Sequence, residues 1–430
     1  MRKFTNAIRK SFAPLGGQST LRRNFLVVAR ANILALALPV LAMPFLARIF
    51  DPSAFALLGV YLAAIGIVTA FSTARMDWAI PNARTDLMAA SLFSIGAAVL
   101  LVVTILCVLF VVVLTTFPEI SPRVFELGWT IWIAPLIVVA TGNRALLHGW
   151  LVRTGALGAV ARSTIVQTIS NVALSFATGL AGLTTTGLIV AYAAASWAGI
   201  SILAGTAGRR FRRALGRVTL PAVVAALGKH GRQALWSTGV SILNACALST
   251  PIIVLGALYS PQEVGWFFFM QRMIAAPLGA MSSALGQSFW SHAAKLALER
   301  NMQELSNVYR AVTLRLALAS IPLVIICLSG PLFVGILLGE KWSGAGYVLA
   351  ALTPLFVASL LFSPTNHLVV LHKQHLQLYV DALRIGLMLV GILTSYVFEL
   401  GFVMAVVLMS FAAFLGHAAI YIIQIREHAK

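Results

Sequence analysis

Charge is what this 430-residue chain has least of: Asp, Glu, Lys and Arg together make up 10% of it, where a soluble domain carries about a quarter. Acid is the scarcer sign, with 12 Asp and Glu against 31 Lys and Arg. Three cysteines, Cys107, Cys246 and Cys327, lie near the middles of apolar runs, which argues against a disulfide framework and leaves them as packing residues. No glycine-rich loop followed by Lys and Ser or Thr is present, so nothing here cradles a nucleoside triphosphate, which argues against an ATP-driven pump. The stretch before Arg22 and Arg23 has no apolar core, so the first apolar span is expected to serve as its own insertion signal and not as a cleaved leader.

What the chain does have is apolar length: 60% of it is hydrophobic and its mean hydropathy is +0.93. Runs of about twenty apolar residues recur from Phe25 to Ile423, each able to cross a hydrocarbon core about 30 Å thick. They predict spans over residues 24–47, 53–74, 88–116, 128–147, 163–183, 187–206, 234–258, 265–290, 311–338, 346–371, 376–398 and 402–424. The expected fold class is an all-α polytopic membrane protein of about twelve transmembrane helices in two pseudo-symmetric six-helix lobes. The expected division is a basic N-terminal segment (1–23), a first lobe (24–206), a basic linker (207–233), a second lobe (234–424) and a short tail (425–430).

A net charge of +19 fits either nucleic-acid binding or a membrane protein with positive loops inside, and position decides between them. Of the 31 basic residues, 23 fall in the N-terminal segment, the even-numbered connections and the C-terminal tail, on one side of the predicted bilayer. Only Arg48, Arg123 and Lys341 fall on the other side, and Arg30, Arg144, Arg272, Arg315 and Arg384 lie within or at the ends of spans. That asymmetry is expected to place both termini on the cytoplasmic side of the membrane, and it argues against nucleic acid as a partner. The linker begins RRFRRALGR and continues LPAVVAALGKHGRQ. It reads as a solvated connector whose second part forms a short interfacial helix on anionic headgroups.

The halves repeat weakly. RIFDPSAFALLGVY joins spans one and two, and ALYSPQEVGWFFF joins spans seven and eight, with an offset of 209 residues from Pro52 to Pro261. Pro39, Pro44, Pro251, Pro277, Pro354 and Pro364 lie in spans one, seven, eight and ten, where each removes a backbone donor and invites a kink. Internal repeats with bendable helices suit alternate opening to two sides.

The stretch ARIFDPSAFALLGVYLAAIGIVTAFSTARMDWAIPNARTDLMAAS resembles the opening of polysaccharide transporters of the Wzx type, within the MOP flippase superfamily. Arg48, Phe50, Pro52 and Phe55 match the first motif of that family, and Arg75, Asp77, Ala79 and Ile80 the second. Ala56 stands where the family usually has Gly, and Asp77 where it usually has Glu. GALYSPQEVGWFFFMQRMIAAPLGAMSSALGQSFW and ILLGEKWSGAGYVLAALTP are similar to later parts of the family. The resemblance implies a MATE-like fold and a substrate, undecaprenyl-diphosphate-linked oligosaccharide, moved from the cytoplasmic to the periplasmic leaflet for O-antigen, capsule or exopolysaccharide synthesis. It also implies polysaccharide polymerase and chain-length machinery as partners beside the bilayer.

Ionisable groups inside a bilayer are costly unless they face water or a partner, which makes them functional candidates. Arg30 and Arg48 on span one, Arg272 on span eight and Arg384 on span eleven are expected to line a cationic cavity, because a guanidinium binds phosphate oxygens with two donors. For Arg30 the competing reading is a side chain that snorkels to the interface. Asp381 and Arg384, at i, i+3 spacing, form either an internal ion pair or a proton-coupled switch. Arg75 and Asp77 form either a gate after span two or a simple exposed turn. His372 and His375 read as a solvated loop, so no metal and no cofactor is expected. Trp266, Phe267, Phe268 and Phe269 read first as an aromatic belt at the headgroups and second as a platform for stacking sugars.

An enzyme on the same lipid-linked sugars would need a sizeable outer loop, and the longest here runs only from about Phe117 to Leu127. A MATE-type exporter of cations would need intramembrane carboxylates, of which only Asp381 lies well inside a span. A peptidoglycan-precursor exporter of the same fold usually has two further helices.

Overall fold

A backbone in hydrocarbon must satisfy its N–H and C=O groups within its own segment, and this chain does so with helices. The computed structural model describes residues 18–117, 128–299, 302–365 and 374–428; the side chains of residues 18–33, and scattered ones between 284 and 302 and between 374 and 378, lie outside that description. The helices are α1 (Gln18–Ile49), α2 (Pro52–Phe71), the single turn α3 (Met76–Ala79), α4 (Asp86–Thr116), α5 (Ile133–Arg153), α6 (Leu157–Leu180), α7 (Thr185–Leu215), α8 (Leu220–Leu258), α9 (Pro261–Leu298), α10 (Met302–Leu328), α11 (Gly330–Leu338), α12 (Ala345–Ala351), α13 (Thr353–Phe362), α14 (Gln374–Val397) and α15 (Phe402–His428). There is no strand among the described residues. We call the side bearing the α5–α6 and α7–α8 connections the basic face, and the side bearing the α1–α2 and α8–α9 turns the opposite face.

The described part of each predicted span lies largely on helix, but two spans are broken. Span nine divides at Ser329, where Pro331 sits in the first turn of α11, and span ten divides at Leu352, where Pro354 sits in the first turn of α13 and the chain bends by 46°. A proline in a first turn forfeits no hydrogen bond, so it starts a helix without cost where it would break one in the middle. Pro39, Pro44, Pro251, Pro277 and Pro322 stay inside continuous helices.

Among the described residues, eight helices are each long and apolar enough to cross a membrane, and the bent pair α12–α13 makes a ninth. α4 is apolar on all sides and leaves Leu101, Ile105 and Phe110 exposed, as a solvent of hydrocarbon and not water requires. Of the other expected spans, α1 has only its apolar end, Leu34–Ile49, among the described side chains. α6 and α9 are diluted by polar residues. Those on α6 include Gln167, Asn171 and Ser175, spaced four apart on one face. That face points into the molecule.

The linker differs most from expectation. α7 kinks at Gly208, whose φ of 70° and ψ of −165° suit a residue without Cβ, and α8 then runs unbroken for 39 residues, about 58 Å. Instead of ending as a short interfacial segment, the linker's second part is the first third of α8. Ala226 and Ala234 on that part bury themselves with Ala89, Leu92, Trp150 and Ala214, and this packing holds it against the helices preceding it in the chain.

Pro52 and Pro261, the repeat pair, each open a helix, and those two helices pack against one another. Phe55 meets Phe269 at 5.0 Å, edge to face, and Gly59 lies beneath the ring of Phe268. Gly59 and Phe268 are themselves 209 residues apart, so equivalent positions of the two halves face each other as on a two-fold axis. Gly265 lies against the carbonyl of Pro52 with no room for a Cβ. Trp342 wedges into the same place, 4.4 Å from Phe269 and 5.7 Å from Phe55, and its indole N–H donates to the Ala47 carbonyl at 2.8 Å. The expected aromatic belt is therefore corrected: Phe267 and Phe269 are 0% exposed, because the start of α9 lies at the seam between the halves and not at the lipid surface.

Candidate functional site

The opposite face is closed by contacts that cross this seam. Arg48, at the end of α1, donates to the carbonyl of Leu337 at 3.3 Å, and Lys341 pairs with Asp51 at 2.6 Å. The Trp266 indole donates to the Lys341 carbonyl at 3.0 Å. Arg48 therefore joins the closure, away from the interior arginines with which the sequence grouped it.

Arg272 lies eleven residues into α9, about 16 Å from its start and so near mid-depth of a 30 Å core. It lines a cleft with Pro39, Met43, Asn171, Ser175 and Tyr192, where α1, α6 and α7 meet α9. Its guanidinium sits 5.7 Å from the centroid of Phe268. No carboxylate among the described residues pairs with it. Among the described residues this is a charge set at mid-depth beside a ring face and neutral polar side chains.

The neighbouring residue, Gln271, turns to the other side of α9. There a cavity of about 340 Å³ is lined by Asn244, Gln271, Ser359, Asp381, Arg384 and His417. Arg384 pairs with Asp381 at 3.1 Å and shares a 2.8 Å hydrogen bond with Nε2 of His417. Its methylenes fill the space that a Cβ at Gly416 would take. Arg272 and Arg384 are thus brought to two sides of one helix, one without a carboxylate and the other compensated. Arg30 is on α1, but its side chain lies outside the described residues, as do His372 and the side chain of His375.

Arg75 adopts a left-handed φ of 56° at the turn before α3, with its guanidinium 4.5 Å from the Trp78 ring. Asp77 accepts a hydrogen bond from the Thr73 hydroxyl at 2.7 Å, and its backbone carbonyl packs where only a glycine, Gly149, gives way. Asp77 thus packs the α2–α4 connection against α5, while Arg75 stays within the connection on Trp78.

Sequence reasoning missed the clamp beside them. Asp86 accepts from Arg153 at 2.5 Å and from two nitrogens of Arg210 at 2.7 and 2.9 Å, while Arg153 also donates to the Ala83 carbonyl. The carboxylate ties the segment after the Gly208 kink to the ends of α4 and α5. Asp86→Ala should free that segment, and trypsin should cut at Arg209–Arg213 about two- to fivefold faster, because the pairs are partly solvated. Unchanged cleavage would show that the Ala214 and Ala226 packing alone holds it. Also missed was a cluster of Arg144, His148, Gln167, Tyr192 and Ser196 lining a cavity of about 280 Å³. The rule that singled out Arg272 applies equally to Arg144, an arginine eleven residues inside α5.

The family profile described as polysaccharide biosynthesis protein matches residues 21–289, more than half of the chain. No curated protein matches it. Among solved structures, the chain is similar to a lipid II flippase, MurJ, in an inward closed conformation, at 11% identity and a TM-score of 0.69 over 94% of this chain and 90% of that one. It is also similar to a multidrug resistance MATE family transporter of the MOP superfamily in an inward-facing conformation, at 13% identity and a TM-score of 0.67 over 93% and 98% of the two chains. A MATE in complex with MaD5 gives 14% identity and a TM-score of 0.56 over 94% and 96%. These likenesses establish a MOP transporter fold, and the chain belongs to the polysaccharide biosynthesis protein family.

Proposed function

We propose that this protein is a flippase that carries undecaprenyl-diphosphate-linked oligosaccharide units from the cytoplasmic to the periplasmic leaflet of the bacterial inner membrane. The observation that carries the reading is Arg272: a permanent cation at mid-depth with no carboxylate partner among the described residues, in a cleft between the halves. A diphosphate supplies the missing anion, and the planar guanidinium offers it two donors at once. Asp381, the one acid among the described residues lining these cavities, is already paired with Arg384, so a cationic cargo finds no free counter-charge there.

The basic face is the cytoplasmic one under the positive-inside rule. The closure at Arg48, Lys341 and Trp342 then seals the periplasmic side, and the cavities load from the cytoplasm. Residues 24–206 and 234–424 act as the two lobes, rocking about the α2–α9 seam. Arg30 and Arg272 hold the diphosphate, the Asp381–Arg384 pair responds to the coupling ion, and Arg75 with Asp77 steadies the cytoplasmic connection.

The test is reconstitution in liposomes with a fluorescent undecaprenyl-diphosphate oligosaccharide, following its quenching from the opposite leaflet. Protein-dependent translocation is expected. Absence of translocation for this lipid and for a lipid-linked disaccharide-peptide overturns the reading, and turnover of a sugar donor in its place makes the protein an enzyme.

A further inference from the structure

The cavity around Arg144 adjoins the Arg272 cleft, and Tyr192 lines both. Arg144 is nine residues, about 14 Å, from the end of α5 on the basic face, and so close to the depth of Arg272. Its one described hydrogen bond goes to a neutral hydroxyl, that of Thr164, at 3.3 Å. Among the described residues no carboxylate pairs with it and none lines the cavity.

The rest of the lining is chosen from the same chemistry. His148 stands one helical turn along α5 from Arg144 and faces the same space. Opposite them, Gln167 reaches Ser196 at 3.5 Å, and the Ser196 hydroxyl itself donates to the Tyr192 carbonyl. An arginine and a histidine on one wall, with an amide and two hydroxyl groups on the other, make an anion site with hydroxyl-binding sides. At about 280 Å³ the space is at the lower end of ligand pockets, the size for a single ring and not for a chain of sugars.

We infer that this cavity is a second anion subsite that takes an acidic sugar of the translocated glycan, its carboxylate on Arg144 and His148 and its hydroxyls on Gln167 and Ser196. The inference rests on the flippase reading and adds a substrate class to it: a repeat unit that carries a negative charge of its own besides the diphosphate. Two adjoining subsites that share Tyr192 hold the lipid-proximal diphosphate at Arg272 and an acidic ring at Arg144. A neutral repeat unit would leave Arg144 without a counter-charge at mid-depth, which is why the site selects against one.

Phosphate and carboxylate are both anions that Arg144 binds, so the test separates them. Binding of two probes to the purified full chain in detergent is measured by calorimetry: farnesyl diphosphate, and a disaccharide that ends in a uronic acid, with the neutral disaccharide of the same linkage as its control. Wild type is expected to bind the uronate probe more tightly than the neutral one. Arg144→Gln is expected to weaken the uronate probe by about tenfold or more and leave farnesyl diphosphate unchanged, with Arg272→Gln giving the reverse. Arg144→Lys should recover part of the lost affinity, which mere loss of packing would not allow. If Arg144→Gln weakens farnesyl diphosphate instead, or if wild type binds the two disaccharides equally, the acidic-sugar subsite is wrong and the flippase reading stands. If wild type binds neither the diphosphate nor the uronate, both fall.

Discussion

Arg272→Ala should lower translocation of a lipid diphosphate by about 10- to 100-fold, the worth of a charge-assisted hydrogen bond or two, while the protein keeps its melting temperature. The two expectations belong together. A residue that held the fold through an ion pair would leave its partner unpaired when removed, but Arg272 has no carboxylate among the described residues and lies beside the face of Phe268 and neutral polar side chains. Its loss costs the fold about 0.5 to 1 kcal/mol of cation–π attraction and relieves a charge set in an apolar span. Arg272→Lys should fall between the two, because it keeps the charge and loses the planar fork. Initial rates of leaflet transfer and a thermal melt on the same preparation decide it. A variant that melts early and transports normally per folded molecule would make Arg272 a structural residue.

Gly265→Val should abolish transport by holding the opposite face open. The carbonyl of Pro52 occupies the place of a side chain at Gly265, and it is backbone, with no freedom to rotate aside. Overpacking of this kind costs about 1 to 3 kcal/mol, enough to reverse a balance between two conformations. The readout is access of a membrane-impermeant maleimide to Leu46→Cys, added from the Lys341 side after Cys107, Cys246 and Cys327 are replaced by Ser. Leu46 lines the Arg272 cleft and is 8% exposed behind the closure. Labelling should rise with Gly265→Val, and also with Trp342→Ala, which opens the seam by removing its wedge without adding a clash. Normal transport with Leu46→Cys still protected in both variants would show that the seam is not the gate.

Much of the fold was legible because hydrocarbon imposes it: length, hydropathy and loop charge each reflect one physical demand, and together they gave the order of the spans. Arg272 was legible for the same reason, as an ion where ions are costly. The linker was not, because its basic residues hid a helix that Leu220, Val224 and Leu227 continue into α8. Phe267 and Phe269 were misplaced because a headgroup belt and a buried seam both call for aromatics at the start of a helix, and only the packing of α2 on α9 separates them. The Asp86 clamp joins residues 67 and 124 apart, which no local spacing announces. The Arg144 site needed Tyr192 and Gln167 brought over from two other helices before an arginine in a span became part of a cavity.

On the orientation proposed above, the layer formed by Trp342, Phe55 and Phe269 also acts as a dielectric. When water fills the cavities from the cytoplasmic side, the membrane voltage no longer falls across the full hydrocarbon thickness but across this thin aromatic sheet, so the field there is steeper than in the surrounding lipid. A negative interior repels anions outward, by about 2.3 kcal/mol per charge for each 100 mV. If the proposed reading holds, a diphosphate at Arg272, just behind the sheet, would be pushed towards the periplasm as the seam parts, and each further negative charge on the glycan would add to that push.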